Sequence, residues 1–208
     1  MPFIYTLLAL LLVVILVVIV RTFLFSRDAR QDPLPFSSEL PDLQPDLLVP
    51  ARHLSAAIQI PTISHADPAE DRPELFDALH NLLQESYPLL HGRLSREVLP
   101  GGSLLYTWPG SKPELEPVLF MAHQDVVPAD EHTLAKWTYP PFSGAIEDGF
   151  VWGRGSMDIK CQLIAVMEAV ENLLAQDFQP CRTVILAFSH DEEVLGMGAR
   201  VIVNQLKE

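Results

Sequence analysis

The chain has 208 residues, a formal net charge of −13 and two cysteines. This length suits one domain with an appendage, and a composition of 49% hydrophobic and 20% charged residues excludes a wholly disordered chain. Two cysteines exclude a fold built on disulfides. The acidic balance argues against nucleic acid as a partner, because binding to phosphates needs a basic surface.

The first predicted element is an apolar segment at the N-terminus. Residues 3–20 carry no charge, and as a helix they would span about 27 Å, close to the bilayer hydrocarbon thickness of about 30 Å. No basic residue precedes the segment, and no cleavage site of small residues follows it. We therefore predict a transmembrane anchor over residues 1–25, rather than a cleaved signal peptide or a buried core helix.

A proline-rich stretch follows this segment. Residues 32–50 contain five prolines, which disfavour regular structure, and we predict an extended tether over residues 26–50. The predicted localisation is a single-pass membrane protein. Its orientation depends on Arg21, Arg27 and Arg30 alone, which by the positive-inside rule favour the cytoplasm for the residues after the helix.

Helical and strand patterns alternate from residue 51 onwards. Helices are predicted over residues 51–60, 73–87 and 159–174, with another from about 193 to 205. Strands are predicted over residues 103–108, 117–122 and 183–189, and the last two are apolar runs typical of buried parallel strands. This alternation indicates an α/β domain, with a mostly parallel sheet and flanking helices, over residues 51–208.

Polar clusters follow two of the predicted strands. His123 and Asp125 come after the strand 117–122, and Glu192 and Glu193 come after the strand 183–189. A glycine-rich turn containing Asp158 lies between them and enters a helix. Because functional sites form beyond the carboxyl ends of parallel strands, we expect these side chains to lie close together. Nitrogen and carboxylate ligands without thiolate suit Zn²⁺, Mn²⁺ or Co²⁺.

The residue types suggest a division of labour. Asp125 can accept a hydrogen bond from the ring nitrogen of His123 that faces away from a metal, and the carboxylate of Asp158 has two oxygens with which to bridge two ions. Of the adjacent Glu192 and Glu193, one can bind metal while the other faces the attacking water. Taken singly, the acidic pair also fits the first turn of a helix, and the glycine-rich turn also fits an anion site.

Four stretches together carry a resemblance to a known family. They are residues 121–128 (MAHQDVVP), 137–144 (WTYPPFSG), 149–160 (GFVWGRGSMDIK) and 190–193 (HDEE). They resemble the zinc-dependent family of carboxypeptidase S, aminoacylase and glutamate carboxypeptidase, and the predicted anchor is most similar to carboxypeptidase S and the N-acyl-amino-acid amidases. The resemblance covers residues 51–208. It implies an amide hydrolase with two Zn²⁺ ions per complete site that cleaves a peptide or N-acyl amino acid next to a free carboxylate.

The resemblance also implies a role for each of five residues. His123 would bind one zinc ion, Glu193 the other, and Asp158 both, with a cis peptide bond after Asp158. Asp125 would orient His123. Glu192 would be the general base that takes a proton from the attacking water and passes it to the leaving nitrogen. Co²⁺ or Mn²⁺ could replace zinc at the same ligands.

The sequence departs from the family pattern in two places. Ile159 follows the bridging aspartate where an acidic residue is common. The sequence also ends at Glu208, before the family's further carboxylate and histidine ligands and before its lid or dimerisation domain. We therefore interpret residues 51–208 as the N-terminal part of a longer catalytic domain, inactive alone, with any homodimer contacts elsewhere. The alternatives are a non-catalytic membrane-tethered binding protein on the same fold, or a related deacetylase or aminopeptidase.

Two further features near the motifs remain open between a functional and a structural role. Trp137, Tyr139 and Phe142 could line a substrate cleft or pack as an aromatic loop on the sheet. His190 precedes the acidic pair and could support the site or the fold.

Overall fold

A computed structural model describes residues 2–28 and 47–207, which fall into two compact units that divide after Pro45. The first unit contains one helix, α1 (Pro2–Asp28). Its stretch Pro2–Leu24 is long and apolar enough to cross a membrane, a property that a signal sequence shares. The predicted tether lies mostly outside the described residues, and its last residues belong to the next helix.

The second unit alternates helices and strands. Its helices are α2 (Leu48–Ile58), α3 (Pro73–Ser86), α4 (Pro88–Arg93), α5 (Lys160–Ala175) and α6 (Gly198–Gln205). Its strands are β1 (Ser95–Val98), β2 (Leu104–Trp108), β3 (Val118–His123), β4 (Ala145–Glu147), β5 (Phe150–Trp152) and β6 (Val184–Ser189). The predicted helices and strands are all present within a few residues, whereas α4, β1 and the β4–β5 hairpin were not predicted.

The main sheet is mixed, and the prediction of a mostly parallel sheet is wrong. The strand order is β1-β2-β6-β3, in which only the β3–β6 pair is parallel. β1 and β2 are joined by the short turn Pro100–Gly102, where Gly101 and Gly102 have φ angles of 84° and 100°. So short a connection can join only antiparallel neighbours. This hairpin was not predicted because β1 has a mostly polar sequence without the apolar pattern of a strand.

Strand β3 lies at the edge of the sheet, whereas its apolar sequence predicted a buried strand. Leu119, Phe120 and Met121 are 42%, 46% and 49% exposed, and only the last two residues of the strand, Ala122 and His123, are buried. The structure describes no strand beyond β3. The predicted burial of β6 is confirmed, because β6 lies between β2 and β3 and its last four residues are buried.

The two faces of the main sheet carry separate apolar clusters, because alternate residues of a strand point to opposite faces. Leu104, Tyr106 and Phe188 pack with buried residues of α3, α4 and α5 in the larger cluster. Leu105 and Ala187 pack on the other face with Ile202 of α6. Buried on both faces, β6 holds a fixed position for the residues that follow it.

Candidate metal centre

The parallel pair β3–β6 brings the predicted site residues together. His123 is the last residue of β3 and lies in register with Ser189, the last residue of β6, so both strands end at the same edge. Asp158 stands in the loop before α5, and Glu193 in the short turn after β6. One ligand atom from each of His123, Asp158 and Glu193 lies within 4.8 Å of the others.

The two ring nitrogens of His123 have different partners. Nε2 lies 3.2 Å from Oδ1 of Asp158 and 3.6 Å from Oε2 of Glu192. Nδ1 lies 3.0 Å from the backbone oxygen of Asp125 and 3.2 Å from its Oδ1. Burial lowers the pKa of His123, but hydrogen bonding to Asp125 and the charge of Asp125 outweigh burial and raise the pKa to about 9. One nitrogen therefore faces the cluster while Asp125 holds the other.

Asp125 is fully buried and connects three parts of the site. Its Oδ2 accepts hydrogen bonds from Oγ of Ser64 at 2.6 Å and from the backbone amide of Glu193 at 3.0 Å. Its Oδ1 accepts one from the backbone amide of Glu192 at 3.1 Å. Burial raises the pKa of Asp125, but these donors and His123 outweigh burial and lower it. The carboxylate therefore stays charged and fixes the backbone of both glutamates.

The loop that carries Asp158 is tied to the end of α2. The peptide bond between Asp158 and Ile159 is cis, as the family resemblance implied. The buried ammonium of Lys160 donates hydrogen bonds to the backbone oxygens of Ala57 at 2.8 Å and Ile60 at 2.7 Å. Burial lowers the pKa of Lys160 to about 7. The loop is thus anchored two residues after the aspartate that the prediction assigns to bridge the metal ions.

The donor set suits a divalent cation. Burial raises the pKa of Glu193, and repulsion by the nearby carboxylate of Asp158 raises it further. A cation between these carboxylates would relieve that repulsion. One imidazole nitrogen with carboxylate oxygens is a ligand set of zinc, manganese and cobalt. Glu192 stays half-exposed beside the ligands, with 54% of its side chain accessible.

Sequence reasoning missed Ser64 and Gln124. Ser64 reaches Asp125 because Ile63 pairs with Val126 in an isolated parallel bridge. Gln124 is fully buried, and its amide nitrogen donates to the backbone oxygen of Phe188 at 2.9 Å. These contacts join segments more than sixty residues apart, so no local pattern could have indicated them.

His190 lies apart from the ligand cluster. Its Nδ1 lies 2.8 Å from Oγ of Ser103, which is buried, and its Nε2 lies 3.4 Å from Oδ2 of Asp191. The carboxylate of Asp191 in turn accepts hydrogen bonds from the backbone amides of Met197 and Gly198. These bonds hold the turn before α6, which explains why α6 begins later than predicted and favours the structural role for His190.

Comparison with known proteins matches residues 119–208 to the sequence profile of Peptidase family M20/M25/M40. Carboxypeptidase S of Saccharomyces cerevisiae is 45% identical over 164 residues, which cover 74% of this chain and 28% of that protein. The N-fatty-acyl-amino acid synthase/hydrolase PM20D1 of Mus musculus is 37% identical over 173 residues, which cover 82% of this chain and 32% of that protein. The chain therefore spans about a third or less of the length of these relatives.

Solved structures show the same fold. Human carnosine dipeptidase 1 matches with a TM-score of 0.59 at 22% identity, over 77% of this chain and 36% of that chain. The M20 family metallo-carboxypeptidase Sso-CP2 from Sulfolobus solfataricus matches with a TM-score of 0.52 at 23% identity, over 67% of this chain and 30% of that chain. By sequence, residues 119–208 of this chain belong to peptidase family M20/M25/M40.

Proposed function

We propose that this chain carries the metal-binding core of a two-zinc amide hydrolase that cleaves peptides or N-acyl amino acids next to a free carboxylate. The observation that carries the proposal is the convergence of His123, Asp158 and Glu193 beside a half-exposed Glu192. Membership in a peptidase family supports it, as do relatives described as carboxypeptidase S and as an N-fatty-acyl-amino acid synthase/hydrolase.

In this proposal His123 would hold one zinc ion and Glu193 the other, and Asp158 would supply a carboxylate ligand to both. Bound zinc supplies a Lewis acid for the scissile carbonyl and favours deprotonation of water. Asp125 holds His123 by Nδ1, so that Nε2 keeps its lone pair for the metal. The donor set fits Co²⁺ and Mn²⁺ as well, so metal identity belongs to the test.

Glu192 acts as the general base. Its carboxylate takes a proton from water while the water oxygen forms a bond to the amide carbon. The bond from carbon to nitrogen then breaks, and the proton passes from Glu192 to the leaving nitrogen. General acid–base catalysis of this kind contributes about 10²- to 10⁴-fold to a rate. Asp125 positions this base because it binds the backbone amide of Glu192.

The remaining zinc ligands, and any homodimer contacts, would come from a downstream segment of a longer protein. The short span of this chain along its relatives supports this part of the proposal. The exposed apolar residues of the edge strand β3 support it too, since a further strand there would cover them. Helix α1 would anchor the enzyme in a membrane as a single span.

The test measures zinc content and turnover of the full chain beside a form extended through the native reading frame. Substrates are an N-acyl amino acid and a dipeptide with a free C-terminus. We expect two zinc ions and turnover in the extended form. If the extended form folds but binds no metal and hydrolyses neither substrate, the chain is a tethered binding protein instead.

In the extended form, Glu192→Gln is expected to lower kcat by at least about 10²-fold while zinc content stays the same. The matched control is Glu131→Gln, an exposed glutamate in the turn Glu131–Lys136, which should keep full activity. Normal turnover in Glu192→Gln would show that another group is the base.

A further inference from the structure

A buried histidine contacts the end of the sheet that carries the candidate metal centre. His80 belongs to α3, is 4% exposed, and is not among the predicted site residues. Its Nε2 lies 2.6 Å from Oε1 of Gln124, a side chain that is fully buried. Gln124 directly follows His123, the last residue of β3. The pair therefore connects a helix to the strand end that carries the first predicted metal ligand.

The side chain of Gln124 bridges the ends of neighbouring strands. Its Nε2 donates hydrogen bonds to the backbone oxygens of Phe188 at 2.9 Å and Gly102 at 3.0 Å. Phe188 is the next-to-last residue of β6, and Gly102 lies in the turn that joins β1 and β2. The backbone amide of Gln124 also donates to the backbone oxygen of Ser189 at 2.8 Å. Gln124 thus holds the end of β3 against the end of β6 with both its main chain and its side chain.

The partners of Gln124 determine which nitrogen of His80 carries a hydrogen. Backbone oxygens can only accept hydrogen bonds, so the amide nitrogen of Gln124 must face them and its Oε1 must face His80. Oε1 can also only accept, so Nε2 of His80 must carry the hydrogen. Burial lowers the pKa of His80, and the opposing effect of the hydrogen bond to Gln124 is smaller, so the ring is neutral at pH 7.

These bonds set the distance between the two strand ends that carry the candidate centre. His123 ends β3, whereas Glu192 and Glu193 follow the end of β6 within four residues. Without His80, Oε1 of Gln124 would be a buried acceptor without this donor, and the desolvation penalty would favour rearrangement of the Gln124 side chain. A rearranged Gln124 would release the strand ends, and with them the residues on either side of the centre.

We propose that His80 is a positioning residue of the candidate metal centre, and that it acts through Gln124 to fix the spacing between the ends of β3 and β6. The consequence for metal binding rests on the proposed function. The hydrogen bonds themselves involve no metal, so they are measured separately. A histidine that served the fold alone would affect stability and leave the centre unchanged.

The first test measures the zinc affinity of the extended form by competition with a chelator. His80→Leu is expected to weaken zinc binding by about tenfold or more, as is usual when a group that supports a metal ligand is lost. His80→Gln should restore most of the affinity, because its amide can still donate to Oε1 of Gln124. The double variant His80→Leu/Gln124→Met should bind zinc no more weakly than Gln124→Met alone, because His80 acts through Gln124. Parental affinity in His80→Leu would overturn the proposal.

His91→Leu is the matched control. His91 belongs to α4, and its Nε2 lies 3.1 Å from the hydroxyl of Tyr106 in the middle of β2. This variant also removes a partly buried histidine hydrogen bond, so it should lower thermal stability while zinc affinity stays the same. If His80→Leu behaves in the same way as His91→Leu, then His80 serves the fold alone.

A second test uses the metal-free full chain in phosphatidylcholine nanodiscs and does not depend on a destabilising substitution. NMR of the chain labelled with ¹⁵N in its histidines should show His80 at pH 7 as a neutral ring with its hydrogen on Nε2. The signal is assigned by its disappearance in His80→Gln. A hydrogen on Nδ1 alone would remove the donor to Gln124 and would refute the proposal.

Hydrogen exchange in the same metal-free chain reports on the centre itself. The backbone amides of Glu192 and Glu193 donate to the buried carboxylate of Asp125 and should therefore exchange slowly. We expect both amides to exchange about tenfold faster or more in His80→Leu, and at the parental rate in His91→Leu. Equal rates in the parent chain and His80→Leu would show that His80 does not hold this turn in place.

The outcomes separate this proposal from the proposed function. Faster exchange in His80→Leu, together with an extended form that folds but binds no zinc, would refute the hydrolase and keep the positioning role. Zinc affinity and turnover that are the same in His80→Leu and the parent form would keep the hydrolase and refute the positioning role.

Discussion

At the scale of single residues, the candidate centre depends on Asp125 more than on any exposed group. Its carboxylate contacts His123, Ser64 and the backbone amides of Glu192 and Glu193. A buried acceptor with this many donors must keep its charge, because each unsatisfied donor would carry a desolvation penalty. Asp125 is therefore a positioning residue for one metal ligand and for the general base.

Asp125→Asn is expected to weaken zinc binding by about 10- to 100-fold, as is usual when the partner of a histidine ligand is lost. The variant should also lose about 1–3 kcal/mol of folding free energy. The NH2 group of asparagine can only donate, so it would leave at least one of the donors that now bind Asp125 without an acceptor. Competition with a zinc chelator and thermal unfolding without metal measure the two effects. Asp130→Asn, at an exposed aspartate that caps a short turn, should change neither. Unaltered zinc affinity in Asp125→Asn would remove its positioning role.

The buried hydroxyl of Tyr106 makes the free energy of unfolding depend on pH in the alkaline range. Burial raises the pKa of Tyr106 to about 12, and its hydroxyl lies 3.1 Å from Nε2 of His91. Between pH 10 and pH 12 the unfolded chain loses this proton while the folded chain keeps it. The free energy of unfolding therefore falls as pH rises through this window, by about 3 kcal/mol for the two-unit shift. Below pH 10 this contribution is present in full.

Tyr106→Phe should make the loss of stability between pH 10 and pH 12 shallower. Removing the hydrogen bond to His91 should also cost about 1 kcal/mol at pH 7. Some slope should remain, because burial and Glu168 raise the pKa of Tyr87 in the same direction. Urea unfolding at each pH measures the effect. Identical slopes in the variant and the parent chain would show that Tyr106 does not titrate with unfolding.

At the scale of elements, the junction between α2 and the loop before β4 supports the loop of Asp158. Oγ of Ser55 donates a hydrogen bond to the backbone oxygen of Gly144 at 2.6 Å. A Cβ atom at Gly144 would lie 2.4 Å from the backbone oxygen of Ser55, and a Cβ at Gly153 would lie 2.9 Å from that of Pro141. Backbone contacts this close leave room only for glycine.

Gly144→Ala should destabilise the chain by about 2–4 kcal/mol. The φ of +60° at Gly144 disfavours alanine by about 1 kcal/mol, and overpacking against α2 adds about 1–3 kcal/mol. Gly149→Ala is a matched control, because its φ is +80° but no atom lies within 4 Å of the added Cβ. That variant should lose only about 1 kcal/mol. Urea unfolding measures both variants. Equal losses of unfolding free energy would mean that α2 shifts to accommodate the added Cβ at Gly144 without a measurable loss of stability.

The contrast between predicted and observed elements has a physical pattern. Long periodic segments such as α5 are predictable, because their apolar spacing follows from burial of one face. The three-residue strands β4 and β5 are too short for any period to emerge. The predicted helix over residues 73–87 ends just before Pro88, which begins α4 because proline suits the first helical position. Antiparallel pairing of β2 with β6 depends on the whole sheet and leaves no local signal.

In the candidate site, too, residues in local sequence motifs were predictable, whereas contacts between distant segments were not. His123, Asp125, Asp158, Glu192 and Glu193 were predicted together, because each follows a strand or opens a helix in a recognisable motif, and the structure brings them into one cluster. The buried bonds of Lys160 to α2 cross about a hundred residues of sequence and depend on tertiary contacts.

At the scale of the whole molecule, the chain combines two units of opposite character. Residues 3–20 of helix α1 carry no charge on any side, and the side chains from Phe3 to Leu24 are exposed. A helix with no polar face needs an apolar medium around it. The second unit carries most of the acidic residues and the candidate site.

The anchor proposal predicts that the full chain stays in the membrane pellet after carbonate extraction. Replacing Leu11 and Val14 with arginine should release it, because each central arginine opposes insertion by about 2.5–3.5 kcal/mol. Thr22→Arg is the control, since an arginine beside Arg21 at the helix end can reach the interface, and this variant should stay in the pellet. Mass spectrometry of the membrane-bound chain should then show the N-terminus intact. A chain shortened past α1 would identify the segment as a cleaved signal sequence and contradict the anchor.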